Sequence, residues 1–307
     1  MTRTIRWLVV VLAAMGLTTC QRREMAPPAS AGNTARISRA SSTTEATSVP
    51  LSLSDLGTSA TGLRVPQASL RALAAPRFRR LRLEMVDTQI AASHALDGRD
   101  PVRDPRVLET MRLVPRHEFV PPEFRSYSYA DEPLPIGYDQ TISQPYIVAL
   151  MSELLKPKPD DRVLEVGTGS GYQAAVLSLL VKEVYSIEIV EPLAKRAEKD
   201  LRRLGYDNVH VLAGDGYRGW PDKAPFDSII VTAAPERIPE PLVAQLKVGG
   251  RIVMPIGSRF SQELVVLTKA KPGSPRPGNV ASDLVRELVI PVRFVPMVGE
   301  IQKEGKK

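Results

Sequence analysis

Between residues 162 and 255 strand-length apolar runs alternate with helix-length stretches, and that alternation limits the fold more than any other feature. The runs 162–166, 183–187, 209–213, 228–232 and 251–255 are rich in β-branched residues, and 173–180, 192–204 and 239–246 between them suit helices. Strands separated by whole helices cannot pair as tight hairpins; they pair in parallel, with helices on both faces. Two late runs, 264–269 and 284–295, have no helix between them and are joined by the Pro- and Gly-containing loop 271–283. They are expected to close the sheet as an antiparallel pair. The predicted class is therefore α/β, a doubly wound and mostly parallel sheet.

Helices lead this pattern. Leu83, Val86, Ile90, Ala91 and Ala92 fall at helical spacing from Leu81 onward. A second helix is predicted over 105–113, with Asp104 as its N-cap and Pro105 at its first position, and a third over 145–155.

The remainder of the chain reads differently. Arg3 and Arg6 precede an apolar run, 7–17, too short to span a bilayer stably, and then Cys20, which is the pattern of an export signal over 1–20. Leu17-Thr18-Thr19-Cys20 resembles a bacterial lipoprotein cleavage box, with Thr19 where Gly or Ala is usual. Translation from Met25 or Met85 is the alternative. Residues 21–80 are rich in Ser, Thr, Ala and Pro with little periodic apolar content, which predicts a disordered tether. A folded domain is expected over 81–300 and a polar tail over 301–307.

The formal charge of +7 sits in the leading part. Residues 1–80 hold 11 Arg, no Lys and 3 acidic residues, whereas the rest holds 30 basic and 31 acidic residues. A near-neutral folded part argues against nucleic acid as a partner, because phosphate binding needs clustered Lys and Arg. One cysteine permits neither an internal disulfide nor a Cys-based zinc site, and His94, His117 and His210 are too scattered to share a metal. No metal is expected.

The most informative segment is Leu164-Glu165-Val166-Gly167-Thr168-Gly169-Ser170-Gly171-Tyr172-Gln173, a strand, a glycine-rich turn and a helix. Glycines there let the backbone turn sharply and approach a ligand closely. A dinucleotide fingerprint would have glycine where Tyr172 stands, and no Gly-Lys-Ser or Gly-Lys-Thr follows to make a P-loop. The spacing instead resembles that of class I methyltransferases, whose loop carries the amino-acid part of S-adenosylmethionine. Glu165 would then face the ammonium or a bridging water. Glu188, closing the next strand, can accept both ribose hydroxyls or be a solvated strand-end residue. Asp215, in Gly214-Asp215-Gly216, can bond the adenine amino group or simply make a turn.

More specific blocks extend the resemblance. They are Leu134-Pro135-Ile136-Gly137, Gln140-Thr141-Ile142-Ser143-Gln144-Pro145-Tyr146, Ala224-Pro225-Phe226-Asp227, Val231-Thr232-Ala233-Ala234-Pro235 and Val292-Arg293-Phe294-Val295-Pro296. With them the chain from about 81 to 300 resembles the protein-L-isoaspartate O-methyltransferases. The resemblance implies a Rossmann-like sheet of the seven-stranded type and methyl transfer from S-adenosylmethionine to the free carboxylate of isoaspartyl residues in damaged proteins. It makes Ser143 the active-site residue, where the bare sequence suggests a helix N-cap; both roles can hold. It implies cosubstrate contacts from Glu165, Gly167, Thr168, Gly169, Gly171, Glu188, Asp215 and Gly216. Thr141, Ile142 and Val295 to Val298, Pro296 among them, would line the cosubstrate and peptide sites.

A monomer is expected, with isoaspartyl proteins and peptides as partners. Family resemblance and cosubstrate supply point to the cytoplasm; a functional leader ending at Cys20 would instead imply a periplasmic or lipid-anchored protein. The rival activities are a class I methyltransferase with a small-molecule or nucleic-acid acceptor, and a binding protein that has lost turnover.

Overall fold

The computed structural model describes Leu63 and residues 65–92, 99–271 and 284–299. The expected leader, Cys20, most of the expected tether, His94 and the tail over 301–307 lie outside the described residues.

The chain opens with helix α1 (Gln67–Ala74) and α2 (Pro76–Glu84), which runs into one π-helical turn, Met85–Ile90. A tether was predicted as far as residue 80, and here the structure differs. Leu63, Val65 and Leu73 pack with Leu113, and Phe78 stacks on His117 at 4.0 Å. Arg82 is buried and donates to the carbonyls of Arg112 and Leu73. Few apolar residues suffice because they pack on a surface formed much later in the chain, which local composition does not reveal.

Helix α3 (Pro105–Leu113) begins as predicted: Asp104 accepts the Arg106 N–H at 2.8 Å and Pro105 needs no partner. A hairpin follows, β1 (Leu134–Gly137) and β2 (Gln140–Ile142), then α4 (Pro145–Leu154).

The alternating part follows as β3 (Arg162–Val166), α5 (Tyr172–Ser178), β4 (Glu183–Glu188), α6 (Glu191–Leu204) and β5 (Val209–Ala213). It continues with β6 (Phe226–Val231), α7 (Glu240–Ala244) and β7 (Leu246–Gly257), and ends with β8 (Gln262–Lys269) and β9 (Leu284–Val292). The seven strands from β3 lie in the order β5-β4-β3-β6-β7-β8-β9. The first five are parallel; β8 runs against both β7 and β9. The predicted late antiparallel pair is thus present.

Alternation sorts the strand side chains onto two cores. Val163, Val184, Ile230 and Val253 face the side covered by α4 and α5, while Leu164, Tyr185, Ile229 and Ile252 face the other. The order reverses between β3 and β6, so a crevice opens beyond their carboxyl ends, where open α/β sheets bind ligands.

Candidate active site

At that crevice the backbone leaves β3 through Gly167, Thr168, Gly169, Ser170 and Gly171 before α5 begins. The loop hangs on β4: the N–H groups of Gly167 and Thr168 both donate to the Ile187 carbonyl, at 2.8 and 3.2 Å. Gly167 has φ +102°, and a Cβ there would meet the Thr232 hydroxyl head-on. That hydroxyl donates to the Gly167 carbonyl at 2.7 Å, so β6 clamps the turn from the other side. Gly216, after β5, similarly has no room for a Cβ because Val166 Cγ1 occupies it.

The resulting cleft opens to solvent and, its mouth included, holds about 790 Å³ of empty space. Its floor is the glycine loop, with Ile187, Glu188 and Ile189 on one side and Gly216, Thr232 and Ala233 on another. Glu188 is buried; its Oε2 accepts the Gly169 N–H at 2.7 Å and its Oε1 the Val190 N–H at 2.9 Å. Each carboxylate oxygen has a further lone pair to offer a hydroxyl.

The opposite wall comes from the hairpin and the start of α4. Gln140, Thr141, Ile142 and Ser143 all line the cleft, and Ile136 packs against Gly169. Ser143 is not the helix cap: the N-cap position of α4 belongs to Gln144, whose side chain makes no capping bond. The Tyr146 N–H is taken instead by Asp131, at 2.9 Å. Among the described residues the Ser143 hydroxyl has no hydrogen-bond partner, so it is available to a ligand.

A strap after β9 completes the site. The Phe294 N–H donates to Gln262 Oε1 at 2.6 Å, the Ala234 N–H to the Val295 carbonyl at 2.8 Å, and the Met297 N–H to the Ala234 carbonyl at 2.9 Å. This lays Val295, Pro296, Met297 and Val298 along the cleft.

All the expected site residues line this one cleft except Glu165, Gly171 and Asp215. Gly171 is left-handed at the start of α5 and abuts Leu201. Asp215 caps a short 3₁₀ turn, accepting the Tyr217 N–H at 2.9 Å. Glu165 is wholly buried below the loop. Thr232 and Ala233 belong to one of the blocks that carry the resemblance but were given no site role from the sequence, and neither were Ile187 and Ile189. Thr232 and Ala233 follow β6, the fourth strand of the seven-stranded sheet in chain order, and only the sheet order reveals that β6 is the neighbour of β3.

A family model described as protein-L-isoaspartate(D-aspartate) O-methyltransferase matches residues 93–302. The chain belongs to this family. Its relatives include protein-L-isoaspartate O-methyltransferase 2 of Nitrosococcus oceani, 58% identical over 197 residues that make up 64% of this chain and 86% of that protein. A solved protein-L-isoaspartate O-methyltransferase is 30% identical, with a TM-score of 0.59 over 72% of this chain and 66% of the other. A putative family member from Plasmodium falciparum, solved with S-adenosyl-L-homocysteine, is 24% identical, with a TM-score of 0.57 over 72% and 98%, and shares the fold. The blocks from Leu134 to Val298 that make the cleft all fall within the family match.

Proposed function

We propose that this chain is a protein-L-isoaspartate O-methyltransferase, moving a methyl group from S-adenosylmethionine to the free carboxylate of isoaspartyl residues in damaged proteins. The observation that carries this reading is the sharing of one cleft by the glycine loop and by Ser143. One wall suits a cosubstrate and the other an acceptor.

The residues present fit S-adenosylmethionine. Gly167 and Gly216 let the backbone of the cleft pack where a Cβ would clash with Thr232 and Val166, Glu188 offers acceptors for the ribose, and Ile187, Ile189 and Met297 give apolar walls for the adenine. Asp215, which sits beside Gly216 of the cleft, is assigned to the adenine amino group by the family resemblance. When bound, the cosubstrate supplies an electrophilic sulfonium methyl.

The chain's own task is alignment. A carboxyl group with a pKa of roughly 4 is already ionised at neutral pH, so the acceptor oxygen needs no general base. It attacks the methyl carbon in line with the carbon–sulfur bond, the bond electrons return to sulfur, and a methyl ester and S-adenosylhomocysteine result. Ser143 donates to the acceptor carboxyl and turns one oxygen toward the methyl group. The strap and the hairpin keep water from the reacting pair. The ester then closes to a succinimide without further help from the protein, and hydrolysis returns part of it to aspartate, which makes the reaction a first step of repair.

The proposed catalytic domain spans 81–300, now with α1 and α2 packed ahead of it. We propose that the chain acts as a monomer. For location we infer the cytoplasm, where S-adenosylmethionine is made. Among the described residues no helix is long and apolar enough to cross a membrane. Recovery of the protein from the cell envelope with Cys20 as its first residue would overturn that location.

The activity is tested with labelled S-adenosylmethionine and two matched peptides, one isoaspartyl and one aspartyl. Base-labile label on the isoaspartyl peptide alone is expected. Label on neither, or on nucleic acid instead, would refute the substrate assignment.

A further inference from the structure

Glu165 is fully buried on β3 and does not line the cleft. Its Oε2 accepts the Ser186 hydroxyl at 2.5 Å, and that hydroxyl lies 2.5 Å from Thr168 Oγ1 in the glycine loop. The other oxygen, Oε1, has no hydrogen-bond partner among the described residues. The surrounding elements offer no counter-ion: β4, β6, α4 and α5 contain neither Lys nor Arg. Glu188 on β4 acts on Glu165 with charge of the same sign. The one titratable side chain of α5 is Tyr172, itself kept neutral by burial, and Ile230 stands opposite on β6.

An ion so placed would have one hydrogen bond and no partner charge, which is costly in an apolar core. Burial accordingly pushes the carboxyl up to about 8; the Ser186 bond lowers it and Glu188 raises it by smaller amounts. At neutral pH the group is an uncharged acid. An uncharged acid is a poor partner for an ammonium but a good member of a hydroxyl chain, since it can both donate and accept.

We infer that Glu165 is a positioning residue of the cosubstrate site, acting from beneath the loop through Ser186 and Thr168, and not a ligand of the cosubstrate. Two carboxyl groups then hold the loop by different routes. Glu188 grips it directly through the Gly169 N–H, and Glu165 fixes the side chain of Thr168, whose backbone is hung on Ile187. Thr168 lines the cleft, so a shift there is felt where the cosubstrate binds.

The inference rests on the reading that the cleft takes S-adenosylmethionine. It is tested on the full chain by calorimetric affinity for S-adenosylmethionine, with KM and kcat alongside. Glu165→Leu breaks the chain of hydroxyls, and the affinity is expected to fall about tenfold, the scale of one or two lost hydrogen bonds, with kcat within about twofold. Ser186→Ala is expected to weaken binding about 3- to 10-fold. The double variant should bind no more weakly than Glu165→Leu alone, because both break the same chain. Glu165→Gln, uncharged and able to donate and accept, should restore affinity to within about threefold of the parent.

If Glu165→Gln loses as much affinity as Glu165→Leu, a negative charge is needed at the cosubstrate and the inference is overturned. Parent-like affinity in Ser186→Ala overturns it too, and that variant decides the matter if Glu165→Leu does not fold. A parent protein that binds S-adenosylmethionine but methylates no isoaspartyl peptide defeats the substrate reading, while the affinity pattern still decides the role of Glu165.

Discussion

The Asp131 carboxylate takes the backbone N–H of Tyr146 at 2.9 Å, doing the work of an N-cap for helix α4 from well upstream in the chain. Its other oxygen accepts from the Gln144 side chain and from Arg99, both at 2.7 Å. The turn that carries Ser143 is thereby fixed at its exit. Asp131→Ala should lose about 1–2 kcal/mol of stability, as loss of a cap does. It should also lower kcat roughly 10- to 100-fold, because a displacement of about 1 Å is enough to misalign a reacting pair. Urea unfolding and steady-state kinetics read the two effects separately. A loss of stability with kcat intact would confine Asp131 to the fold.

Ser143 itself has a simpler prediction. Its hydroxyl makes no bond among the described residues, so Ser143→Ala disturbs nothing around it. Turnover should fall about 10- to 1,000-fold, the range of a lost positioning contact, with cosubstrate affinity close to that of the parent. Unchanged turnover would remove Ser143 from the reaction.

How far the sequence foretold these sites depends on the reach of each signal. Asp104 before Pro105 is a local signal, and the cap forms as expected. Ser143 before Gln144 and Pro145 looks equally local, but Asp131 claims the first-turn N–H, and no spacing rule links residues so far apart. The strand and helix runs were legible because burial imposes their period. The sheet order was not, so Thr232 and Ala233 at the end of β6 stood out only as part of a family block, with no place assigned beside the glycine loop. Glu165 was legible as a residue near the loop. Its direction was not, because it depends on which face of β3 the helices α4 and α5 cover.

The buried acid predicts a pH dependence of stability. Glu165 has a folded-state pKa of about 8 against an ordinary 4.5, so between those values the folded state holds a proton that the unfolded state has released. Stability from this group is complete below about 4.5 and is lost as pH rises to about 8. His117 works in the opposite sense: burial lowers it to about 4 from 6.5, so its contribution is lost as pH falls through that window. Comparison with Glu165→Gln cancels the histidine. The variant should melt above the parent by at least about 3 °C at pH 8.5, and the gap should shrink toward pH 5. A gap that does not vary with pH would mean that Glu165 does not titrate in this window.

Gly167 is a point of the cosubstrate cradle where both space and backbone conformation exclude a side chain. A methyl group there meets Thr232 Oγ1 and is held at φ +102°, so Gly167→Ala must displace either the loop or the clamp from β6. Cosubstrate affinity should fall at least roughly tenfold, since strain of this kind is of order 1–3 kcal/mol. Adding Thr232→Ala removes the clash but not the backbone strain, so it should recover only part of the loss. Full recovery would show that the clash alone forbids a side chain at this position.

The strap offers a graded test of how the cleft is closed. Gln262 is buried and bonds Phe294 twice, through Oε1 to the N–H at 2.6 Å and through Nε2 to the carbonyl at 3.2 Å. Tyr217 reaches the Met297 carbonyl with one longer bond, at 3.3 Å. Gln262→Ala takes away the partners of both the Phe294 N–H and its carbonyl in a part-buried place, whereas Tyr217→Phe leaves only the Met297 carbonyl short of one donor. Losing two hydrogen bonds is worth about 1–3 kcal/mol, and one long bond less. Because Val295 to Val298 border the cosubstrate cradle and the mouth beside Ser143, a loosened strap should weaken both ligands. KM for S-adenosylmethionine and for the isoaspartyl peptide should each rise roughly tenfold in Gln262→Ala and about threefold or less in Tyr217→Phe. If only the peptide KM moves, the strap belongs to the acceptor site alone, and the wall it adds beside Gly216 has no part in holding the cosubstrate.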